Sequence, residues 1–215
     1  MFLLAFLVIA AIGIALSAQR RKALRTWAES HGLDFSPGRD SRMDDRFREF
    51  GCLRQGHSRY ACNVSHGNWN GLNVTAFDYH YTTGHGKHRS HHTFSAVILE
   101  GPFPLTPLRI RREGIFDKVG EFFGFDDIDF ESAEFSRQFH VTSPDRRWAY
   151  GVIHQRMMDY LLRAPQFAVQ FSRTHIIAWR ARRLTPAQLD AALGLIRDML
   201  ELMPDYLVQQ QKERG

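Results

Sequence analysis

Five histidines stand close together in the sequence, in a segment that could bind a metal ion. They are His80, His85, His88, His91 and His92, five of the eleven histidines in the chain. Imidazole nitrogens bind zinc, copper and nickel, and the spacing of the last four could bring several ligands to one centre. His85, His88, His91 and His92 are therefore the candidate metal ligands.

The residues around these histidines favour a different interpretation. The segment contains glycines and polar residues, which are typical of a solvated connection between two strands. Lys87 and Arg89 would repel a cation, and the sequence has no carboxylate between Asp78 and Glu100 that could serve as a further ligand. We therefore prefer a solvated loop, with a metal site and a pH-responsive loop as the alternatives.

Asp78 and His80 form a second candidate site, in this case for catalysis. Residues two apart on a strand share one face of the sheet, so the carboxylate could orient the imidazole as a general base. A serine hydrolase would also need an activated nucleophile, and the sequence contains no Gly-x-Ser-x-Gly motif. The sequence therefore favours a protein without enzymatic activity. Asp78 and His80 are the candidate catalytic residues of the alternative.

The sequence predicts no bound cofactor. Gly84-x-Gly86 is not followed by a predicted helix, so it is not a dinucleotide-binding loop. An acidic group further along the chain lacks the spacing of a calcium-binding loop and is typical of a solvated surface. It consists of Asp126, Asp127, Asp129, Glu131 and Glu134.

The periodicity of apolar residues predicts the elements that position these side chains. Alternating segments predict strands over residues 59–65, 72–82, 94–99, 108–112, 135–142, 167–171 and 175–179. Helical spacing and capping residues predict helices over residues 20–31, 143–164 and 185–203, and a short helix and loop over 114–130. The expected fold is α+β, a mostly antiparallel sheet of about six to seven strands with two long helices from the C-terminal half packed on it.

The first eighteen residues are apolar, and Gln19-Arg20-Arg21-Lys22 follows them. At 1.5 Å per residue, a helix of this length spans about 27 Å, close to the ~30 Å hydrocarbon core of a bilayer. The basic flank predicts that the N-terminus faces outward and that the rest of the chain is cytoplasmic. The sequence thus predicts a single-pass signal anchor in a bacterial inner membrane. A cleaved signal peptide and a buried core helix are the alternatives.

The chain then divides into four parts. Residues 1–18 are the predicted transmembrane anchor, 19–57 a juxtamembrane helix and charged segment, 58–208 the globular domain, and 209–215 a frayed tail.

The chain has a formal net charge of +5, but its basic residues are interspersed with acidic ones and no nucleic-acid-binding motif occurs. No nucleic acid partner is therefore expected. Cys52 and Cys62 are expected to remain reduced.

Several segments resemble a family of uncharacterised bacterial proteins that carry an N-terminal membrane anchor and an α+β domain of unknown function. The segments are Ala76-Phe77-Asp78-Tyr79, Asp127-Ile128-Asp129-Phe130-Glu131-Ser132, and Phe139-His140-Val141-Thr142-Ser143-Pro144-Asp145 with Met157 and Met158. The resemblance implies a bacterial origin and attachment to the inner membrane. It transfers no catalytic residue to this chain.

The expected function is that of a membrane-tethered, non-enzymatic interaction module at the cytoplasmic face. Its expected partners are the lipid bilayer, through residues 1–18, and a protein. The alternative function is a metal-dependent or Asp/His-based hydrolase that uses the region from His80 to His92. A sensor of the lipid surface is a third interpretation, because basic residues such as Arg20 to Arg25 interact favourably with anionic headgroups.

Overall fold

A computed structural model describes the backbone of residues 2–112 and 127–214, and the side chains of residues 11–112 and 127–213. Most of the segment predicted as a short helix and loop over residues 114–130 lies outside the described residues. Asp126 of the acidic group also lies outside them.

Eight strands of the described chain form one sheet in the order β1-β2-β3-β4-β8-β7-β5-β6, in which every neighbouring pair is antiparallel. The strands are β1 (Asp34–Ser36), β2 (His57–Trp69), β3 (Leu72–Thr83), β4 (Ser90–Glu100), β5 (Leu108–Arg112), β6 (Phe139–Thr142), β7 (Ala168–Phe171) and β8 (His175–Arg180). The helices are α1 (Phe2–Ser30), α2 (Met43–Arg46), α3 (Ala133–Gln138), α4 (Arg146–Val152), α5 (Gln155–Arg163), α6 (Pro186–Glu201) and α7 (Asp205–Arg214). The predicted α+β class with an antiparallel sheet is confirmed, with one strand more than expected.

The long strands β2, β3 and β4 form a meander that carries both candidate sites. The turn between β2 and β3 contains Asn70 and Gly71 at positive φ, and the Asn68 side chain accepts a hydrogen bond of 3.0 Å from the Gly71 backbone N–H. Asparagine and glycine tolerate this left-handed conformation better than other residues do. The turn therefore sets the register of the pairs from Trp69–Leu72 to Ser65–Ala76, and an irregularity between Ser65 and Cys62 then shifts it so that Cys62 pairs with Asp78.

The two faces of the sheet have separate cores. On one face, which we call the helix face, α1 and α3 to α7 contribute to a large apolar cluster with alternate strand residues such as Val74, Ala76 and Val97. On the other face, residues 43–53 cover Phe77, Tyr79 and their neighbours. Because strand side chains alternate between faces, Asp78 lies on the helix face together with Ala76.

Of the two long helices predicted for the C-terminal half, only the second is a single long helix, α6. The predicted helix over residues 143–164 breaks into α4 and α5 at Ile153 and His154, whose backbone leaves the helical conformation. Helix α6 begins with the predicted capping box, in which Thr185 and Gln188 exchange side-chain and backbone hydrogen bonds. The predicted frayed tail is instead the end of α7, where Gln211 is buried.

The prediction of an N-terminal transmembrane helix is wrong. Over the described residues, no helix has the length and apolar content needed to cross a membrane. Helix α1 continues past residue 18 to Ser30, and its charged second half belongs to the globular domain, where Leu24 and Trp27 are buried against the sheet. The predictions of single-pass inner-membrane localisation, a signal anchor and a bilayer partner depended on this helix, and they are not supported either.

Candidate functional site

The two candidate catalytic residues lie where predicted, two apart on β3 and on the helix face. Within the described chain, the Asp78 carboxylate is hydrogen-bonded to Arg20, Asn63 and Ser95 and not to His80. Each side chain has its own set of neighbours, supplied by different segments. Asp78 belongs to a buried ion-pair cluster beneath α1, whereas His80 belongs to an open pocket beside it.

The Asp78 carboxylate is fully occupied by hydrogen bonds to protein groups. Oδ1 accepts from Arg20 Nη2 at 2.6 Å and from Ser95 Oγ at 2.5 Å, and Oδ2 accepts from Arg20 Nε at 2.8 Å and from Asn63 Nδ2 at 2.9 Å. Only 4% of the Asp78 side chain is exposed. A buried carboxylate needs this compensation, and the bidentate guanidinium supplies its charge partner. We call these four residues the clamp.

Three different segments bring the clamp together. Ser95 faces Asp78 across the β3–β4 ladder. A bulge in β2 between Cys62 and Ser65 places Asn63 at a φ of 52°, which directs its amide toward the carboxylate. Arg20 comes from α1, 58 residues away in sequence. The clamp therefore fixes α1 to the centre of the sheet.

A second group of contacts fixes the C-terminal end of α1. Trp27 Nε1 donates a hydrogen bond of 2.6 Å to Asp190 Oδ1 on α6, and His31 Nε2 lies 3.0 Å from the same oxygen. Leu24 and Ala28 are buried on the same side of the helix. The second half of α1 is thus held at two separated points.

Cys62 lies next to the clamp, paired with Asp78 in the β2–β3 ladder. Burial raises the pKa of the Cys62 thiol, and the Asp78 carboxylate raises it further, against the opposing charges of Arg183, Arg21 and Arg20. The thiolate is the nucleophilic form of cysteine, so this environment makes Cys62 a poor nucleophile.

His80 is held by aromatic stacking instead of by a carboxylate. Its ring lies 4.7 Å from the Tyr60 ring at an interplanar angle of 21°, and 5.5 Å from the His91 ring. The Arg39 guanidinium lies on the Tyr60 ring as well, 4.5 Å from its centroid. Burial lowers the pKa of His80, and the positive charges of His91, Arg39 and Arg183 lower it further, although a hydrogen bond to the Ser58 backbone opposes them.

These residues line an open cavity of about 660 Å³, which we call the basic pocket. Its walls come from β2, β3, the start of β4 and the segment before α2. They consist of Arg39, Ser41, Ser58, Arg59, Tyr60, His80, Thr82, Arg89 and His91. No Asp or Glu of the described chain is among the lining residues.

An irregularity in β2 shapes one wall of the basic pocket. Ser58 has a φ of 52° at the shift in register between His57 and Tyr60. Gly56 precedes it at a φ of 56°, and a Cβ atom there would lie 2.1 Å from the Thr82 carbonyl oxygen. Only glycine fits this close approach. The irregularity turns Ser58 into the pocket instead of continuing the regular ladder.

The candidate metal ligands do not share one centre. His91 faces the basic pocket, whereas His92 stacks on Tyr81 at 4.7 Å on the opposite face of the sheet. His85 stacks on His57 at 5.0 Å, and His88 lies in a short 3-10 turn. No group of three or more His, Cys, Asp or Glu residues within the described ranges could hold a metal ion.

The sequence did not point to three residues of these sites. The sequence suggested that Arg20 flanks a membrane, because this residue follows an apolar stretch. Arg39 and Tyr60 are distant in sequence and meet only because the segment before α2 runs beside β2, where Asp40 bridges to Ala61. The sequence offered only one weak sign of the site. Tyr60 lies two residues before Cys62 on a predicted strand, so both side chains were expected on the same face of the sheet.

Comparison with solved structures finds a similar fold in the crystal structure of the mycobacterial trehalose monomycolate transport factor A, TtfA. The TM-score is 0.64 over 86% of this chain and 96% of that chain, and the sequences are 17% identical. At this identity the likeness shows a common fold alone. No protein-family model matches the sequence, and no protein of curated function matches it.

Proposed function

We propose that this protein is a non-enzymatic interaction module that binds a partner protein through α1. The observation that carries the proposal is that residues 11–18 of α1 are all exposed although most are apolar. The exposed fractions of Ile12, Ile14 and Leu16 are 53%, 71% and 60%. Neighbouring apolar side chains that are exposed to water gain free energy when another surface covers them.

The second half of α1 makes this surface suitable for binding. The clamp and the Trp27–Asp190 hydrogen bond hold the helix to the domain. A helix that is already folded and oriented loses less conformational entropy when it binds than a flexible segment would. The domain therefore serves as the support that presents residues 11–18.

The charges next to the apolar segment indicate the kind of partner. Arg21, Lys22 and Arg25 are exposed immediately after it, and none forms an ion pair with a residue that the structure describes. An apolar helix followed by basic residues fits an apolar groove with acidic residues at its rim. We propose a partner protein with such a groove.

Two further observations support a binding role over catalysis. The Asp78 carboxylate accepts its hydrogen bonds from Arg20, Asn63 and Ser95. It therefore does not orient His80. The structurally similar TtfA is a transport factor. By analogy of fold, we propose that this chain also acts as an accessory to another protein.

The test is site-specific photo-crosslinking in native cells. A photoreactive amino acid replaces Ile14, and in the control variant it replaces Tyr206, which is 62% exposed on α7. We expect the Ile14 position to crosslink one protein that the Tyr206 position does not. That protein, once purified, should bind the wild-type chain and should bind Ile14→Glu about tenfold more weakly or worse, because a carboxylate would then enter an apolar groove.

Three results would overturn the proposal. The Ile14 position could crosslink lipid only, or only a second copy of this chain. The purified partner could also bind Ile14→Glu as tightly as it binds Tyr206→Glu, in which case the exposed apolar segment is not the binding surface.

A further inference from the structure

We propose that the basic pocket binds a small ligand that carries a phosphate group. No described residue of α1 is among those that line the pocket, so the pocket and the apolar segment of α1 proposed to bind a partner consist of different residues. The argument depends on the charges that line it, on one buried nitrogen without a partner, and on the size of the cavity.

The pocket contains cations whose charge the protein does not neutralise. Arg59 is the exception, since its Nε donates a hydrogen bond of 2.7 Å to Asp44 and its Nη1 donates to the Arg54 and Gly56 backbone carbonyl groups. Arg39 and Arg89 line the same cavity and form no ion pair with any residue in the described ranges. Arg183 adds a further positive charge near His80. Cations gathered on concave walls create a positive potential that attracts an anion.

His80 provides the second, independent observation. Its Nδ1 atom is buried and has no hydrogen-bond partner in the described chain. Buried polar atoms without a partner are uncommon in folded proteins, so this nitrogen marks a place where the described chain leaves a polar group unsatisfied next to the cavity. The unpartnered nitrogen belongs to a ring that lines the cavity, beside the two unpaired arginines.

The cationic side chains are already arranged for binding. Tyr60 lies between Arg39 and His80, which it contacts at centroid distances of 4.5 Å and 4.7 Å. Such stacking limits the motion of the guanidinium, so less entropy is lost when it binds a ligand. Ser41 and Ser58 also line the cavity, and a serine hydroxyl group can both donate and accept hydrogen bonds. The Ser58 hydroxyl already lies 3.0 Å from His57 Nδ1.

The shape and chemistry of the pocket favour a phosphomonoester over other anions. Guanidinium, imidazole and hydroxyl donors come from several directions, which matches the three terminal oxygens and the high charge of a phosphate group. A cavity of about 660 Å³ falls within the size range of small-molecule sites and exceeds what a bare ion needs. The remaining space would hold the organic part of the ligand.

The electrostatics of His80 agree with an anionic ligand. The positive charges of His91, Arg39 and Arg183 add to burial in lowering the pKa of His80. A bound anion would oppose these charges and favour the imidazolium, which in turn can donate to the ligand.

The test is calorimetric titration of the full-length protein with inorganic phosphate and with glycerol phosphate at low ionic strength. The variants are Arg39→Gln and Arg89→Gln. The control is Arg156→Gln, which removes the same charge from an exposed position of α5 outside the pocket. We expect wild type and Arg156→Gln to bind glycerol phosphate alike, and each pocket variant to bind it about tenfold more weakly or worse, because each removes one charge-assisted hydrogen bond.

A vesicle arm distinguishes the source of the phosphate group. Phosphatidylcholine vesicles with and without phosphatidic acid are sedimented with the same four proteins. Tighter binding to phosphatidic acid that Arg39→Gln and Arg89→Gln abolish would identify the ligand as a lipid headgroup, and binding of glycerol phosphate alone would identify a soluble phosphomonoester.

Two results overturn the proposal. One is the absence of phosphate and glycerol phosphate binding at millimolar concentrations together with no dependence on phosphatidic acid. The other is an equal loss in all three variants, which would show a general charge effect. Loss of ligand binding in these variants, with crosslinking at Ile14 intact, would also show that the pocket and the α1 surface act separately.

Discussion

Asp78 and His80 lie two residues apart on the same face of β3, yet their surroundings have opposite electrostatic character. Around Asp78, the protein itself supplies the counter-charge: Arg20 pairs with the carboxylate, and Ser95 and Asn63 complete its hydrogen bonds. Around His80, the positive charges of Arg39 and Arg89 have no carboxylate partner in the described chain. The clamp is complete without a ligand, whereas the basic pocket is not.

The comparison shows why residue types alone do not identify a site. An acid and a histidine on one strand face suggest a general base, but the acid has a structural role because α1 brings an arginine to it. The histidine then lies among cations instead of beside a carboxylate. The function of each residue depends on what the neighbouring segments contribute, and those segments are distant in sequence.

The largest expected effect follows removal of the charge at the centre of the clamp. Asp78→Ala leaves Arg20 without its partner and Asn63 and Ser95 without an acceptor. Loss of one member of a buried ion pair costs about 3–5 kcal/mol, so the free energy of unfolding should fall by that amount. Urea denaturation measures it. The control Asp34→Ala removes a carboxylate that is 87% exposed and should change the stability by less than ~0.5 kcal/mol. Equal stabilities would mean that the clamp does not hold α1.

A smaller loss is expected from the hydroxyl group that completes the clamp. Ser95 Oγ donates to Asp78 and accepts a hydrogen bond of 2.9 Å from the Leu184 backbone N–H, in a position that is 1% exposed. Ser95→Ala should therefore destabilise the protein by about 1–3 kcal/mol, since it leaves a buried N–H unpaired. Ser90→Ala, at the exposed start of β4, is the matched control. No difference between the two variants would argue against a tightly packed clamp.

Stability should depend on pH through His80, with a sign opposite to that of most paired histidines. The pKa of His80 in the folded protein lies below its ordinary value of 6.5. On acidification below about 6.5, the unfolded chain therefore takes up the proton first, and the free energy of unfolding decreases. His80→Gln should lose less stability than wild type between neutral and mildly acidic pH. Identical pH profiles would contradict the lowered pKa that burial and the nearby positive charges give His80.

The smallest effect is expected in the histidine loop. His85 and His88 lie outside the basic pocket, so the double variant His85→Ala/His88→Ala should retain the affinity for glycerol phosphate and the stability of wild type within ~0.5 kcal/mol. Thermal unfolding with and without zinc checks this result. A zinc-dependent stabilisation of wild type that the double variant lacks would instead support the metal site, which the sequence analysis gave as an alternative to a solvated loop.

The sequence predicted the elements of the fold better than their assembly. Strands such as 72–83 and the capping box at Thr185 are local patterns, and both were predicted within a few residues of their observed positions. The role of α1 was not predicted, because an apolar stretch followed by arginines has the same pattern whether the arginines flank a bilayer or pair with a buried acid. Asp78 itself gave no sign of a partner 58 residues earlier.

The basic pocket could not have been predicted for a related reason. His80 and His91 are both in the predicted histidine cluster, but Arg39 and Tyr60 reach them through a β2 irregularity and a single bridge between Asp40 and Ala61. Neither feature follows from periodicity. Histidines that are close together in the sequence therefore lie on two faces of the sheet. Of the four candidate metal ligands, only His91 lines the basic pocket.

NMR titration of the His80 imidazole with and without glycerol phosphate tests most directly whether the basic pocket lacks an internal counter-charge. The groups that face this ring are His91, Arg39, Arg183 and Tyr60. If the pocket accepts the ligand, the bound anion offsets these positive charges, and the pKa of His80 should rise toward or above 6.5. The shift should be absent in Arg39→Gln/Arg89→Gln. A His80 pKa that does not change when glycerol phosphate is added to the wild-type protein would contradict the account.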